Sequence, residues 1–193
     1  NAESPQESRK LKRRSPVFTN ETVITGQESS TQIRMVDGGL LSLQQNSELA
    51  IVDYQFNAQQ QDGQVRLNLI KGGLRTVTGA LTASAKKYQM QTPVASIGVR
   101  GTHYEAEIVD GNLFLAVWDG DIDVDVEVGD TPANFSLGNN EDFSFASVQP
   151  SGEVQLLLEV PSVFSTGHSE QAKPKEAKQE SKKETSSDQK AKQ

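Results

Sequence analysis

The sequence predicts an all-β fold of short strands joined by tight turns. Three observations carry that reading. Apolar and polar residues alternate in short runs, turn-forming clusters recur about every 8 to 12 residues, and no window has a strong helical period.

The elements follow in chain order. "TQIRM" places Ile33 and Met35 on one face. "ELAIVDY" sets Leu49, Ile51 and Asp53 against Ala50, Val52 and Tyr54, and "QVRLNLI" sets Val65, Leu67 and Leu69 against Arg66 and Asn68. "GALTASAKKYQM", residues 79–90, has only a weak stripe of Leu81, Ala85 and Tyr88 and is expected to be a loop or a single turn. "QTPVASIGVRGTHYEAEIVDG", residues 91–111, reads as two short strands around a tight bend at Gly98-Val99-Arg100-Gly101. "LFLAVWDG", with Phe114, Leu115 and Trp118, reads as a strand buried on both faces. "DIDVDVEV" sets Ile122, Val124, Val126 and Val128 against acids. Turns are expected at Asp37-Gly38-Gly39, Gln44-Gln45-Asn46, Asp62-Gly63, Gly72-Gly73, Asp110-Gly111-Asn112, Asp119-Gly120, Gly129-Asp130, Gly138-Asn139-Asn140 and Pro150-Ser151-Gly152. Asp-Gly between alternating runs is a strong hairpin signal, here at Asp110-Gly111 and Asp119-Gly120. A β-sandwich and a β-roll or β-helix-like coil share this alternation, and both stay open.

Composition divides the chain into three. Residues 1–14 contain only Ala2 and Leu11 as aliphatic side chains, and residues 167–193 contain no Val, Ile, Leu, Met or aromatic residue. Such segments bury too little apolar surface to offset the entropy of ordering, so a disordered basic arm and a disordered Lys/Glu/Gln/Ser-rich tail are expected around a folded domain at 15–166. Residues 15–166 hold 7 basic and 19 acidic side chains, which argues against a nucleic-acid surface. The arm carries Arg9, Lys10, Lys12, Arg13 and Arg14, a run most simply read as solvated. There is no cysteine, which removes disulfides and thiolate metal sites. No stretch approaches the roughly 20 apolar residues of a membrane span. The chain begins at Asn1 rather than Met, so an N-terminal segment is expected to have been removed.

Catalytic residue types are scarce. Of two histidines, His168 lies in the tail and His103 shares a strand face with Glu105 and Glu107. That spacing permits a metal, but no further ligand is signalled, and an exposed polar face is the simpler reading. The G-x-S-x-G elbow is absent around Ser96, and Gly98-x-x-Gly101 is too sparse for a phosphate cradle. The acids at 119, 121, 123, 125 and 127 alternate with apolar residues, and Val124 stands where a calcium loop needs glycine. No catalytic residue, metal or cofactor is assigned.

The phrase at 92–104 carries a resemblance. Thr92, Pro93, Val94, Ala95, Ile97, Gly98, Val99, Arg100, Gly101, Thr102 and Tyr104 are similar to the signature of FecR-domain proteins, with Ser96 where threonine is more usual. Upstream, Leu43, Asn46, Ser47 and Leu49 and the segment "KGGLRTVTG" resemble the same domain, as does "LAVWDGDIDV" downstream. The resemblance runs from about Val23 to Val128. It implies an extracytoplasmic all-β module, periplasmic in the family's best-known members, which regulate sigma factors across a membrane and receive a signal from an outer-membrane transporter. Sigma-factor regulation is not carried over, because the sequence has neither the membrane span nor the cytoplasmic segment that performs it.

Two functions are weighed against each other, and both leave the domain non-catalytic. One is an interaction or signal-sensing module whose partner is another envelope protein, which needs an open strand edge or an apolar patch. The other is an envelope scaffold that binds glycan or peptidoglycan in a groove containing Trp118, Tyr88 or Tyr104. A hydrolase would need His103 beside a serine or carboxylate in a cleft. Arg100, between its two glycines, is expected to clamp carbonyls or a carboxylate.

Overall fold

The structure, a computed structural model, describes residues 1–5, 7–81, 87–129 and 132–164. The fold is all-β, and the thirteen strands among the described residues form one sheet. In chain order they are β1 (Ala2–Glu3), β2 (Ser8–Arg9), β3 (Glu21–Ile24), β4 (Thr31–Arg34), β5 (Leu40–Leu43), β6 (Glu48–Asn57), β7 (Asp62–Val77), β8 (Tyr88–Gln91), β9 (Ala95–Val109), β10 (Asn112–Val126), β11 (Ala133–Gly138), β12 (Phe145–Val148) and β13 (Val154–Leu157). A 3₁₀ turn follows at Ser162–Phe164. The sheet runs β13-β12-β10-β9-β8-β7-β6-β3-β1-β2, with β11 beside β10, β5 beside β7 and β4 beside β5. Among the described residues only β7 and β8 pair in parallel. The expected all-β fold is what forms, as one large, open, mixed sheet.

Three long strands make this possible by changing neighbours partway. β7 pairs with β6 and β8 through its first part, then with β5 and β9 from Gly72 to Val77. β9 pairs with β8 at Ser96–Gly98 and with β7 at His103–Ile108. β10 pairs with β12 at Leu113–Ala116 and with β11 at Asp121–Val126.

Each change of partner sits at glycines that the sequence reading took for turns. Gly72, at φ 78°, bends β7 where β6 gives way to β9. Ser47, fully buried, fills the space beside it and accepts the Gly73 N–H at 2.9 Å. Gly101 (φ 68°) and Gly120 (φ 75°) face each other across β9 and β10, where the register shifts twice between Val117 and Asp121. Asp119-Gly120 is therefore a bulge inside a 15-residue strand, not a hairpin, and Gly98–Gly101 lies inside another. Asp110-Gly111 does close a hairpin, with both residues at positive φ as a type I′ turn requires.

The alternating runs pack as expected, with one exception. Val65, Leu67, Leu69, Ile97, Val99, Ile122, Val124 and Val126 are buried in one continuous core. Each such side chain contributes about 1.5–3 kcal/mol by leaving water. In β6 the register shifts between Ile51 and Asp53, which leaves Val52 exposed and turns Tyr54 and Phe56 to the core side. The Tyr54 hydroxyl accepts the Asp37 N–H and donates to Asp37 Oδ1, both at 3.0 Å, which fixes the Asp37-Gly38 turn. From the window at 79–90, β8 is a strand whose Tyr88 and Met90 are buried, while 82–86 lie outside the described residues.

The arm at 1–14 departs from the expected disorder. β1 pairs with β3, and Ala2 is fully buried. Arg9 grips Glu21 through Nε and Nη2 at 3.0 and 2.7 Å, gives a further bond to the Pro16 carbonyl, and lies over the Phe18 ring. Backbone pairing and one bidentate ion pair supply what apolar side chains do not. The expected tail at 167–193 lies outside the described residues.

Candidate functional site

The phrase at 92–104 is distributed along the bend. Thr92 builds the turn into β9: its Oγ1 accepts the Ala95 N–H at 3.0 Å and donates to the Ala95 carbonyl at 2.8 Å, with Pro93 exposed at the tip. Ala95, Ile97 and Val99 then enter the core, and Gly98 lies on the other face. Thr102 is buried and gives its N–H to Thr78 Oγ1 at 2.8 Å. Tyr104 is fully buried, its hydroxyl 3.9 Å from the Met90 sulfur. Burial drives its pKa far above the ordinary value. Arg100 is the charged member, exposed, and its guanidinium pairs with Asp123 on β10. Of the carbonyls and carboxylates considered as its partners, the guanidinium takes a carboxylate.

His103, Glu105 and Glu107 share the outer face of β9, yet that face is not simply exposed. Glu105 is 2% exposed. Trp118 Nε1 donates to Glu105 Oε1 at 3.0 Å, and Trp118 stands edge-on to Phe145. Arg75, opposite Glu105 on β7, lies 3.9 Å from the same oxygen and donates from Nε to His103 Nε2 at 2.7 Å. Glu107 receives a weak bond from Gln44, and desolvation raises its pKa, with the Glu105 charge adding to the rise. A polar groove of about 550 Å³ opens beside Arg75 and Glu105, lined also by Val163 and the buried Phe164.

This cluster links charged and polar side chains of β7, β9 and β10. The partner at His103 Nε2 is a guanidinium, which does not give up its proton in proteins. Among the described residues no group of three His, Cys, Asp or Glu side chains is placed to hold a metal. Three acids of β10 are engaged in hydrogen bonds: Asp119 accepts from Asn139, Asp121 from the backbone and side chain of Asn140, and Asp123 from Ser136. Arg75 was not singled out by sequence reasoning. Its signal was present, an arginine on a strand of an acidic domain.

Tyr88 and Tyr104 are in the core, which leaves Trp118, partly buried, of the three aromatics expected to line a glycan groove. What the fold offers instead is open edge. Among the described residues, β13 pairs only with β12 and β4 only with β5. The β12–β13 hairpin is closed by the Gln149 N–H on the Glu153 carbonyl at 2.9 Å. Antiparallel alternation then turns the N–H and C=O of Val154 and Leu156 away from β12. Leu156 is 42% and Leu158 83% exposed at this edge. The sequence held a hint, since "LLLEV" breaks the strict alternation of the other strands. Among the described residues no helix is long and apolar enough to cross a membrane.

Comparison with known proteins fits this architecture. Residues 21–123, more than half of the chain, match the family model described as FecR protein. A search of the curated proteins returned no match. Among solved structures, two crystal structures of a "putative anti-sigma factor" from Parabacteroides distasonis ATCC 8503, at 1.65 and 2.50 Å, share the fold. Each aligns with a TM-score of 0.51 at 15% identity over 69% of this chain. The chain spans 57% of the length of that protein. The matched stretch begins at β3 and ends in β10, and it contains the Thr92–Tyr104 phrase and both sides of the Gly101–Gly120 bend: the chain belongs to the FecR family.

Proposed function

We propose that this FecR-family domain is a non-catalytic protein-interaction or signal-sensing module, periplasmic or otherwise extracytoplasmic, that takes a strand of another envelope protein along β13. The observation that carries the reading is the edge of β13, which among the described residues pairs with β12 alone and lies beside two exposed leucines. An edge of this kind binds a partner through main-chain hydrogen bonds and is otherwise a liability in a monomer. The likeness in fold to a protein described as an anti-sigma factor supports a role in signalling. The Arg75–Glu105–Trp118 cluster holds β7, β9 and β10 in place behind that edge.

A photo-crosslinking residue at position 156, compared with one at the exposed Ile70, tests this in envelope preparations. The reading expects a discrete protein adduct at 156, absent at 70 and lost with Leu158→Asp. A chain that gives no adduct and co-sediments with cell-wall glycan would replace it with the scaffold reading.

A further inference from the structure

The cations of this protein are sorted in space. Among the described residues Arg9, Arg66, Lys71, Arg75, Lys87 and Arg100 each form an ion pair. Lys10, Lys12, Arg13, Arg14 and Arg34 form none with the described residues, and all five are exposed. Four of the five, all but Lys10, line one groove where the arm passes β4. It lies between arm residues 11–19 and residues 30–36 and measures about 840 Å³. No acid lines it, on a domain in which acids far outnumber bases. Its floor is apolar, built from Val17, Ile33, Met35 and Ile51.

The groove runs along a strand edge. The Met35 N–H bonds the Gly39 carbonyl at 2.8 Å, and the register pairs Ile33 with Leu41. Antiparallel alternation therefore turns the N–H and C=O of Gln32 and Arg34 away from β5. Among the described residues no backbone hydrogen bond reaches them from that side.

We propose that this groove is a second, independent binding edge that takes an extended acidic peptide whose acids alternate with apolar residues. The peptide adds as a strand to β4, bonding Gln32 and Arg34. Its apolar side chains face Ile33 and Met35, and its carboxylates meet Lys12, Arg13, Arg14 and Arg34. The same cations repel a second copy of β4, so this edge is set against self-pairing and toward an opposite charge.

The test is fluorescence anisotropy with the full chain and a labelled, capped peptide of alternating aspartate and valine. The expected result is saturable binding that weakens with added salt. It falls at least about tenfold in an Arg13→Ser, Arg14→Ser, Arg34→Ser variant. It vanishes for the same peptide N-methylated at every backbone nitrogen, which keeps the charge and removes the strand donors whichever way the peptide runs. Leu156→Pro, on the β13 edge, leaves it unchanged, which separates this site from the one proposed above. Equal binding of a lysine–valine peptide, equal binding of the N-methylated peptide, or binding only to phosphatidylglycerol vesicles would each overturn the proposal, as would no binding at all. Should the triple variant not fold, the N-methylated and lysine peptides decide on the wild-type chain.

Discussion

A side chain on Gly120 would collide with Gly101: an ideal Cβ there stands 2.0 Å from the Gly101 carbonyl oxygen. The two glycines oppose each other at the point where β9 and β10 exchange one set of neighbours for another. Backbone, not a movable side chain, occupies the space. Gly120→Ala is therefore expected to lower stability by at least about 2 kcal/mol, combining strain at positive φ with overpacking. Gly38 is also at positive φ, but nothing lies within 4 Å of the place its Cβ would take, so it isolates the first contribution. Urea unfolding of Gly120→Ala and Gly38→Ala side by side checks this, with the larger loss expected at 120.

Arg100 should behave very differently. Its side chain is 56% exposed and its partner Asp123 also accepts from Ser136. Exposed pairs of this kind are worth about 0–1 kcal/mol. Arg100→Ala is expected to stay folded, with a midpoint in urea close to wild type. A variant that loses its circular dichroism would show that the guanidinium does more than pair with Asp123.

The tyrosines predict an alkaline limit. Burial pushes Tyr54 up to about 12 and raises Tyr88 and Tyr104 as well. In the unfolded chain all three ionise near 10. A raised native pKa means that the unfolded state releases its protons first, so this stability is complete below about pH 10 and is lost as pH climbs through 12. Phenolate absorbance should stay flat near pH 10 and rise together with unfolding. A tyrosine that titrates near pH 10 while the sheet remains intact would contradict the burial described.

The arm gives a fourth test. Arg9 and Glu21 are both largely shielded and bond twice. Charge-assisted bonds of this kind are worth about 1.5–3 kcal/mol each before screening. Arg9→Met should release β1 and β2 and speed trypsin cleavage after Lys12, Arg13 and Arg14 by about tenfold or more, with the rest of the domain intact. Equal cleavage rates would mean that the arm is held by its backbone pairing alone.

These particulars show what was readable in advance. Period-2 alternation located the buried residues of β7 and β10, because side-chain direction in a strand depends only on sequence parity. It failed at Val52, where one extra residue in β6 reverses the parity and no side chain announces it. The Asp-Gly signal was right at 110–111 and misleading at 119–120. Both residues take positive φ at the first site, and of the pair at the second only Gly120 does. Composition misjudged the arm, since a strand paired through its backbone needs little apolar surface of its own. The Arg75–Glu105–Trp118 cluster joins β7, β9 and β10, and its members are brought together only by pairings between strands that are distant in sequence.

The bends at Gly72 and Gly101 bear on how this chain folds and comes apart. β7 and β9 each run through both parts of the sheet, so neither part has a complete set of strands without the other. Their pairing joins Gly72 to Ile108 across 36 positions. Closing such distant contacts before they are rewarded makes assembly slow, on the millisecond-to-second scale typical of β-rich topologies. It also means that the sheet has no seam along which to open: once β7 leaves β9, both parts lose a wall together, and the domain should melt in a single step.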